Sequence, residues 1–320
     1  MLPLNTDDNT SEIEALKSWA IEEKINSSSV DKLLRILRKR LIPELPKSSK
    51  TFLGTTLADY QIIEMEDYST DITGEFVYMG ISVGLQSCIT NFHEGNIEII
   101  INIDGLPLTR SSGKCFWPIL CKVHYIPDVY KPFIVAIYCG NSKPKDLSQY
   151  LKQFIAELNY LQEHGINLFQ KTFIVKLKCF VADTPARSYL KCTKGHGGYN
   201  ACERCTIHGI RHVINKTSKV IYPGVNYAAR TNKSFRNKND PEHHMGETPL
   251  ENIKPAIDMT TIFILDYMHL ACIGVMKELL EMLMYGPLKI RLSRTQKVII
   301  SQRLLSLRSQ IPSEFQRKTR

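Results

Sequence analysis

Two apolar, strand-length runs, each closed by an aspartate, constrain this chain more than any other feature. The first lies in IEIIINIDGLPL (97 to 108) and ends at Asp104; the second lies in FIVKLKCFVADTPAR (173 to 187) and ends at Asp183. Between them, CFWPILCKVHYI (115 to 126) and PFIVAIYCG (132 to 140) are two more β-rich runs joined by short turn-like segments, as in an antiparallel meander. DLSQYLKQFIAELNYLQEHG (146 to 165) then spaces Leu147, Leu151, Phe154, Ile155, Leu158 and Leu161 as one helical face and ends in His-Gly. After Asp183, TPARSYLK carries a proline suited to a first helical turn.

Three strands, a helix and a fourth strand, with acids on the first and fourth, is an RNase H-like α/β layout with a mixed sheet. It sets the two acid-bearing strands side by side, so that residues distant in sequence share metal ions. Phosphodiester cleavage by two divalent ions needs carboxylates holding them about 4 Å apart, one ion activating the attacking oxygen and the other stabilising the leaving one. Mg²⁺ prefers such hard oxygen ligands, with Mn²⁺ the alternative ion. Two plainer readings stand beside this one: Asp104-Gly105 is a hairpin-turn signal, and Asp183 before Thr-Pro is a helix cap.

Nineteen and twenty-two residues beyond Asp183 (202 − 183 and 205 − 183) come Cys202 and Cys205. No thioredoxin-like context surrounds this Cys-x-x-Cys, so zinc is the expectation. With Cys192 and His196 it reads C-x3-H-x5-C-x2-C, the ligand number and type of a closed tetrahedral site. The competing possibility pairs Cys202 and Cys205 with histidines elsewhere. His243 and His244 are adjacent, which is poor geometry for one ion. Asp266 and His269 lie one helical turn apart, on one face of LDYMHLACIGVMKELLEMLMYG (265 to 286), where a structural hydrogen bond is expected. Residues 188 to 262, rich in Cys, His, Gly and basic residues, read as an insertion. Neither a G-x-x-x-x-G-K-[ST] loop nor a G-x-S-x-G elbow is present, and the H-x-E of a zinc nucleobase deaminase is missing.

At 320 residues the chain suits one large domain with insertions, or a large and a small one. Residues 1–50 read as an N-terminal helical hairpin or helix-turn-helix-like segment plus linker, and 51–320 as the core. SEIEALKSWAIEEK (11 to 24) and VDKLLRILRKRL (30 to 41) are the two helices, and PELPKSSKTFLGTT (43 to 56) the linker. No apolar run approaches the roughly 18 residues of a membrane span, and the acidic N-terminus has no secretory segment. Nine scattered cysteines suit thiols or metal ligands better than disulfides. The net charge is +9: residues 204–240 hold eight Lys/Arg against Asp240, and 285–320 hold nine against Glu314. Two basic stretches suit a polyanion, nucleic acid first.

INIDGLPLTRSSGKCFWPIL, YCGNSKP, FVADTPARSYLKCTKGHGGYNACERC and LDYMHLACIGV together resemble the transposase-like proteins of animal genomes, and more distantly the CACTA (En/Spm) class of DDE/D DNA transposases. The resemblance covers roughly residues 75 to 320. It implies an RNase H-like catalytic core with Asp104 and Asp183 as the first two catalytic acids, holding Mg²⁺ or Mn²⁺, and Cys202 and Cys205 in a zinc-bearing insertion. It further implies DNA as partner, nuclear residence and a capacity for homo-oligomers. In that family a third acid, usually Glu, follows a zinc-binding histidine pair well beyond the Asp-x-Met-His helix, here Asp266 to His269. Residues 287–320 contain no histidine, so the core is expected to be C-terminally incomplete and the ancestral DNA cleavage and strand transfer inactive. The alternative is a noncatalytic zinc-containing module that binds DNA or another protein.

Overall fold

A computed structural model describes residues 6–54, 60–68, 73–91, 95–108, 113–214 and 217–310. Residues 109–112, within the motif INIDGLPLTRSSGKCFWPIL, and the basic tail with Arg317, Lys318 and Arg320 lie outside the described residues. The chain divides into two compact units, residues 1–60 and 61–320.

The first unit holds helices α1 (Thr6–Glu22), α2 (Ser27–Arg40) and α3 (Ser49–Phe52). Asn26 caps α2 by accepting from the Ser29 N–H at 2.9 Å, and Val30 and Leu34 bury the apolar stripe of that helix. Lys32, Arg35 and Lys39 stay exposed on its other side. The stretch expected to be a linker contains α3 instead. Ser48 caps this short helix, and its Phe52 joins Leu45, Leu34, Val30 and Ala20 in a core of the unit's own.

The second unit is built on one mixed sheet. Its strands in chain order are β1 (Ile63–Glu66), β2 (Thr73–Tyr78), β3 (Ile97–Ile103), β4 (Leu106–Pro107), β5 (Cys115–Val123) and β6 (Phe133–Gly140). After the hairpin of β7 (Ile166–Leu168) and β8 (Lys171–Phe173) come β9 (Val175–Val181), the separate hairpin of β10 (Ile210–Ile214) and β11 (Thr217–Ile221), and the short β12 (Phe263–Ile264). The main sheet runs β1-β2-β6-β5-β3-β9-β12, with β4 paired to β5. The expected meander is present, since β3, β5 and β6 pair antiparallel. β9 lies beside β3, as expected, and runs parallel to it. A third parallel strand that the sequence reading did not anticipate, β12, follows on the far side of β9.

β3 shows why these residues make this sheet. Ile97, Ile99, Ile101 and Ile103 alternate into the interior at 0% exposure, so the period is strictly two and the register is fixed by burial. Helix α4 (Ile81–Cys88) and the long α5 (Leu147–His164) help cover the sheet. α5 begins at the Asp146 cap and buries Tyr150, Leu151, Phe154, Leu158 and Leu161. Past β9, helix α6 (Thr184–Leu190) leads into an excursion through the β10–β11 hairpin and helix α7 (Asn232–Arg236) before the chain returns to β12. A nine-residue π-helical segment, Met268–Met276, then runs into α8 (Lys277–Tyr285), and α9 (Arg294–Ser306) follows. These last three elements bury none of their residues. Among the described residues, no helix is long and apolar enough to cross a membrane.

Candidate active site

Each of the three parallel strands ends in an aspartate at the same end of the sheet. Asp104 comes one residue after β3, Asp183 two after β9, and Asp266 two after β12. The register aligns them, since Asn102 and Ile264 both face Val181. Asn102 also ties the first two strands at this end by donating its side-chain N–H to the Val181 carbonyl at 2.9 Å. Neighbouring strands lie about 4.8 Å apart, so the three carboxylates form a row with Asp183 in the middle.

The row is held by local hydrogen bonds. Asp104 Oδ1 accepts from the Gly105 N–H at 2.8 Å. Position 105 must be glycine here, because a Cβ would come within 2.9 Å of the Trp117 ring. Asp183 caps α6, Oδ1 accepting from the Ala186 N–H at 2.7 Å; the plain capping role foreseen for it is real. For both residues, Oδ2 has no hydrogen-bond partner among the described residues. Asp266 is more occupied: Oδ1 accepts from the backbone N–H groups of Met268 and His269, and Oδ2 meets His269 Nδ1 at 2.7 Å.

The electrostatics record this crowding. Desolvation and then the Asp183 charge push the Asp104 carboxyl above its usual value, with Asp266 adding to the push and the Gly105 N–H and His269 opposing it. Desolvation raises Asp266 too, but the His269 ring and two backbone N–H groups outweigh it and hold its carboxyl low. His269 is raised, chiefly by its bond to Asp266 and further by the charges of Asp183 and Asp104. The hydrogen bond expected between Asp266 and His269 is present; what spacing did not reveal is that it sits beside the other two acids. A spread of anionic oxygens with two unbonded carboxylate atoms fits the donor chemistry of a hard divalent cation. Even so, no group of three or more His, Cys, Asp or Glu among the described residues is drawn together as a ligand set.

The Cys-x-x-Cys turn ties together the elements that carry two of these acids. Glu203 and Arg204, between the two cysteines, reach different elements. Glu203 meets Arg187 Nε at 2.9 Å and Lys191 Nζ at 3.3 Å, and both cations are nearly buried at the C-terminal end of α6. Desolvation opposes its charge, but Lys191 and Arg187 prevail and hold the Glu203 carboxyl low. Arg204 donates to the Thr260 and Phe263 carbonyls, fixing β12. The turn therefore anchors the elements that carry Asp183 and Asp266, a role that the cysteine spacing alone did not announce.

All nine cysteines are free thiols. Cys202 and Cys205 bring their sulfurs to 3.5 Å, close to the roughly 3.8 Å edge of a tetrahedral site with Zn–S bonds of about 2.3 Å. That separation suits two ligands of one ion. Cys192 and His196 do not join them in a group of three: the Cys192 thiol points at the Tyr189 carbonyl, and His196 is exposed on a glycine-rich loop. His243, dismissed on adjacency to His244, is fully buried, with Nδ1 at 2.6 Å from the Asn200 carbonyl and Nε2 without a partner. Burial brings its pKa down to about 4, so the ring is neutral at pH 7. A backbone-oriented, neutral imidazole is the form in which histidine serves metals.

No known protein-family model and no curated protein matches this chain.

Proposed function

We propose that the row of carboxylates is the cleavage site of an RNase H-like, transposase-derived chain that cuts phosphodiester bonds of DNA with a divalent cation. The observation that carries this reading is the placement of Asp104, Asp183 and Asp266 at the same ends of three adjacent parallel strands. The order β6-β5-β3-β9-β12, with β5 antiparallel to β3 and β6 and with β3, β9 and β12 parallel, supports the RNase H-like assignment, because numbering those strands by sequence gives 3-2-1-4-5. Asp104 and Asp183, each with an unbonded oxygen, would hold Mg²⁺ or Mn²⁺, which would polarise the phosphate and activate a water. Asp266, with its Oδ2 on His269, would add a third carboxylate to the row, at a place other than the downstream acid that the resemblance implies. Asp266 also orients the His269 ring beside the site.

Plasmid nicking tests this directly. In Mg²⁺ or Mn²⁺ the parent converts supercoiled DNA to open circles, and the Asp104→Asn/Asp183→Asn double variant loses at least about a hundredfold in rate. Equal rates for the two would remove the cleavage reading.

A second reading, a noncatalytic module that binds DNA in the nucleus, is favoured by one observation: the carboxylates are not gathered into a closed ligand set. Salt-sensitive DNA retention without nicking would select it. Zinc on Cys202 and Cys205 belongs to both readings, with Cys192 and His196 the ligands proposed on spacing; neither they nor the buried His243 are grouped with the two cysteines among the described residues.

A further inference from the structure

The largest cavity described, about 860 Å³, opens on the α6 side of the acid row and is lined by Tyr68, Lys143, Tyr189, Cys192 and the loop 194–198. Lys143 is its centre. The ammonium lies 4.3 Å from the centroid of the Tyr68 ring and 4.7 Å from that of Tyr189, and no carboxylate pairs with it among the described residues. Two aromatic faces hold a cation in place but leave its charge uncompensated. Lys194, on the cavity rim, is paired with Glu242 only at 3.4 Å and both are solvated.

The loop, Lys194-Gly195-His196-Gly197-Gly198, supplies the second observation. A Cβ at Gly195 or Gly197 would meet nothing within 4 Å, and neither residue has the left-handed backbone that demands glycine. Folding therefore does not require glycine at either place, whereas close approach of a ligand to the backbone does. Position also matters: Pro185 and Ser188 of α6 line the same cavity. Ser188 is five residues along from Asp183, roughly 7.5 Å at about 1.5 Å per helical residue.

We infer that this cavity binds one phosphate-bearing nucleotide of a DNA strand, its phosphate on Lys143 and the 194–198 loop and its base against the tyrosines. The inference rests on the cleavage reading for the direction in which the strand runs, but binding needs neither metal nor chemistry.

The test uses the full chain in EDTA with a fluorescein-labelled single-stranded oligonucleotide. Lys143→Gln should weaken binding about fivefold to tenfold and lower the slope of log affinity against log salt by about 0.7, the share of one phosphate on a single strand. Lys143→Arg should restore both, and Lys254→Gln, an exposed charge outside the cavity, should change affinity less than twofold. In the parent, saturating oligonucleotide should slow alkylation of Cys192 by iodoacetamide at least fivefold, read by mass spectrometry. That readout does not depend on a variant that folds. Unchanged Cys192 alkylation, or parental affinity and slope in Lys143→Gln, would overturn the assignment. Equal protection by inorganic phosphate at the same concentration would also overturn it, by showing a site for a small anion rather than a strand. A chain that protects Cys192 yet never nicks plasmid keeps this inference and loses the cleavage reading.

Discussion

Asp104 carries an unfavourable charge in the folded protein. Its carboxyl is raised by burial and by Asp183 and Asp266, so the folded state holds its proton more tightly than the unfolded state does. Above the unfolded value of 3.8 the unfolded chain ionises more readily, and this group then subtracts from stability; below 3.8 both states are protonated and the penalty disappears. Asp104→Asn should therefore raise the melting temperature near pH 7 and leave it unchanged near pH 3. Millimolar Mg²⁺ or Mn²⁺ should raise the parent's melting temperature, because a cation that binds only the folded row stabilises it by mass action, and should do less for Asp104→Asn. Calorimetry against pH, with and without the metal, checks both. An Asp104→Asn variant less stable than the parent at pH 7 would mean that the carboxylate is held for its bond to Gly105, not strained by its neighbours.

At the scale of elements, the Cys202–Cys205 turn bonds α6 to the excursion through Glu203. A carboxyl held low contributes stability that is complete above its unfolded value near 4.5 and is lost as pH falls through the folded value. Glu203→Gln should cost about 3 kcal/mol at pH 7, since it strands Arg187 and Lys191 without a counter-charge in the interior, and should flatten the acid limb of the stability curve. Urea unfolding at pH 7 and pH 4 measures this, and a loss under about 1 kcal/mol would show that water has replaced the carboxylate. The same scale shows what the chain made legible. β3 and β9 announce themselves by apolar alternation or density, and α5 by its 3.6-residue period, so the placement of Asp104 and Asp183 was readable. β12 is two residues long and has no period at all. Its pairing with β9 depends on the Arg204 bonds and on Phe263 stacking 5.0 Å from Phe180, which are contacts between distant segments. Asp266 was consequently read as a helix-face residue. Cys192 and His196 make a related point: ligand spacing gives reach but not direction, and after α6 the Cys192 thiol is directed at the Tyr189 carbonyl.

At the scale of the whole molecule, two cores imply two stabilities. Among the described residues, the first unit's interior gathers Ala20, Val30, Leu34, Leu45 and Phe52, whereas the second gathers 37 buried residues around its sheet. A small core buries little apolar area against the entropy of ordering its chain, so the first unit should open before the second. Leu34 is the sharpest probe because it is 0% exposed and central. Leu34→Ala should remove about 2–4 kcal/mol from the first unit alone. In a urea titration followed by circular dichroism, the variant's first transition should move to lower denaturant or vanish, while a later transition keeps its midpoint. Hydrogen exchange gives the same answer residue by residue: amides of α2 should lose protection while those of β3 and β9 keep theirs. If β3 and β9 lost protection together with α2, the two cores would be one cooperative unit, and the acid row would depend on the N-terminal helices for its stability.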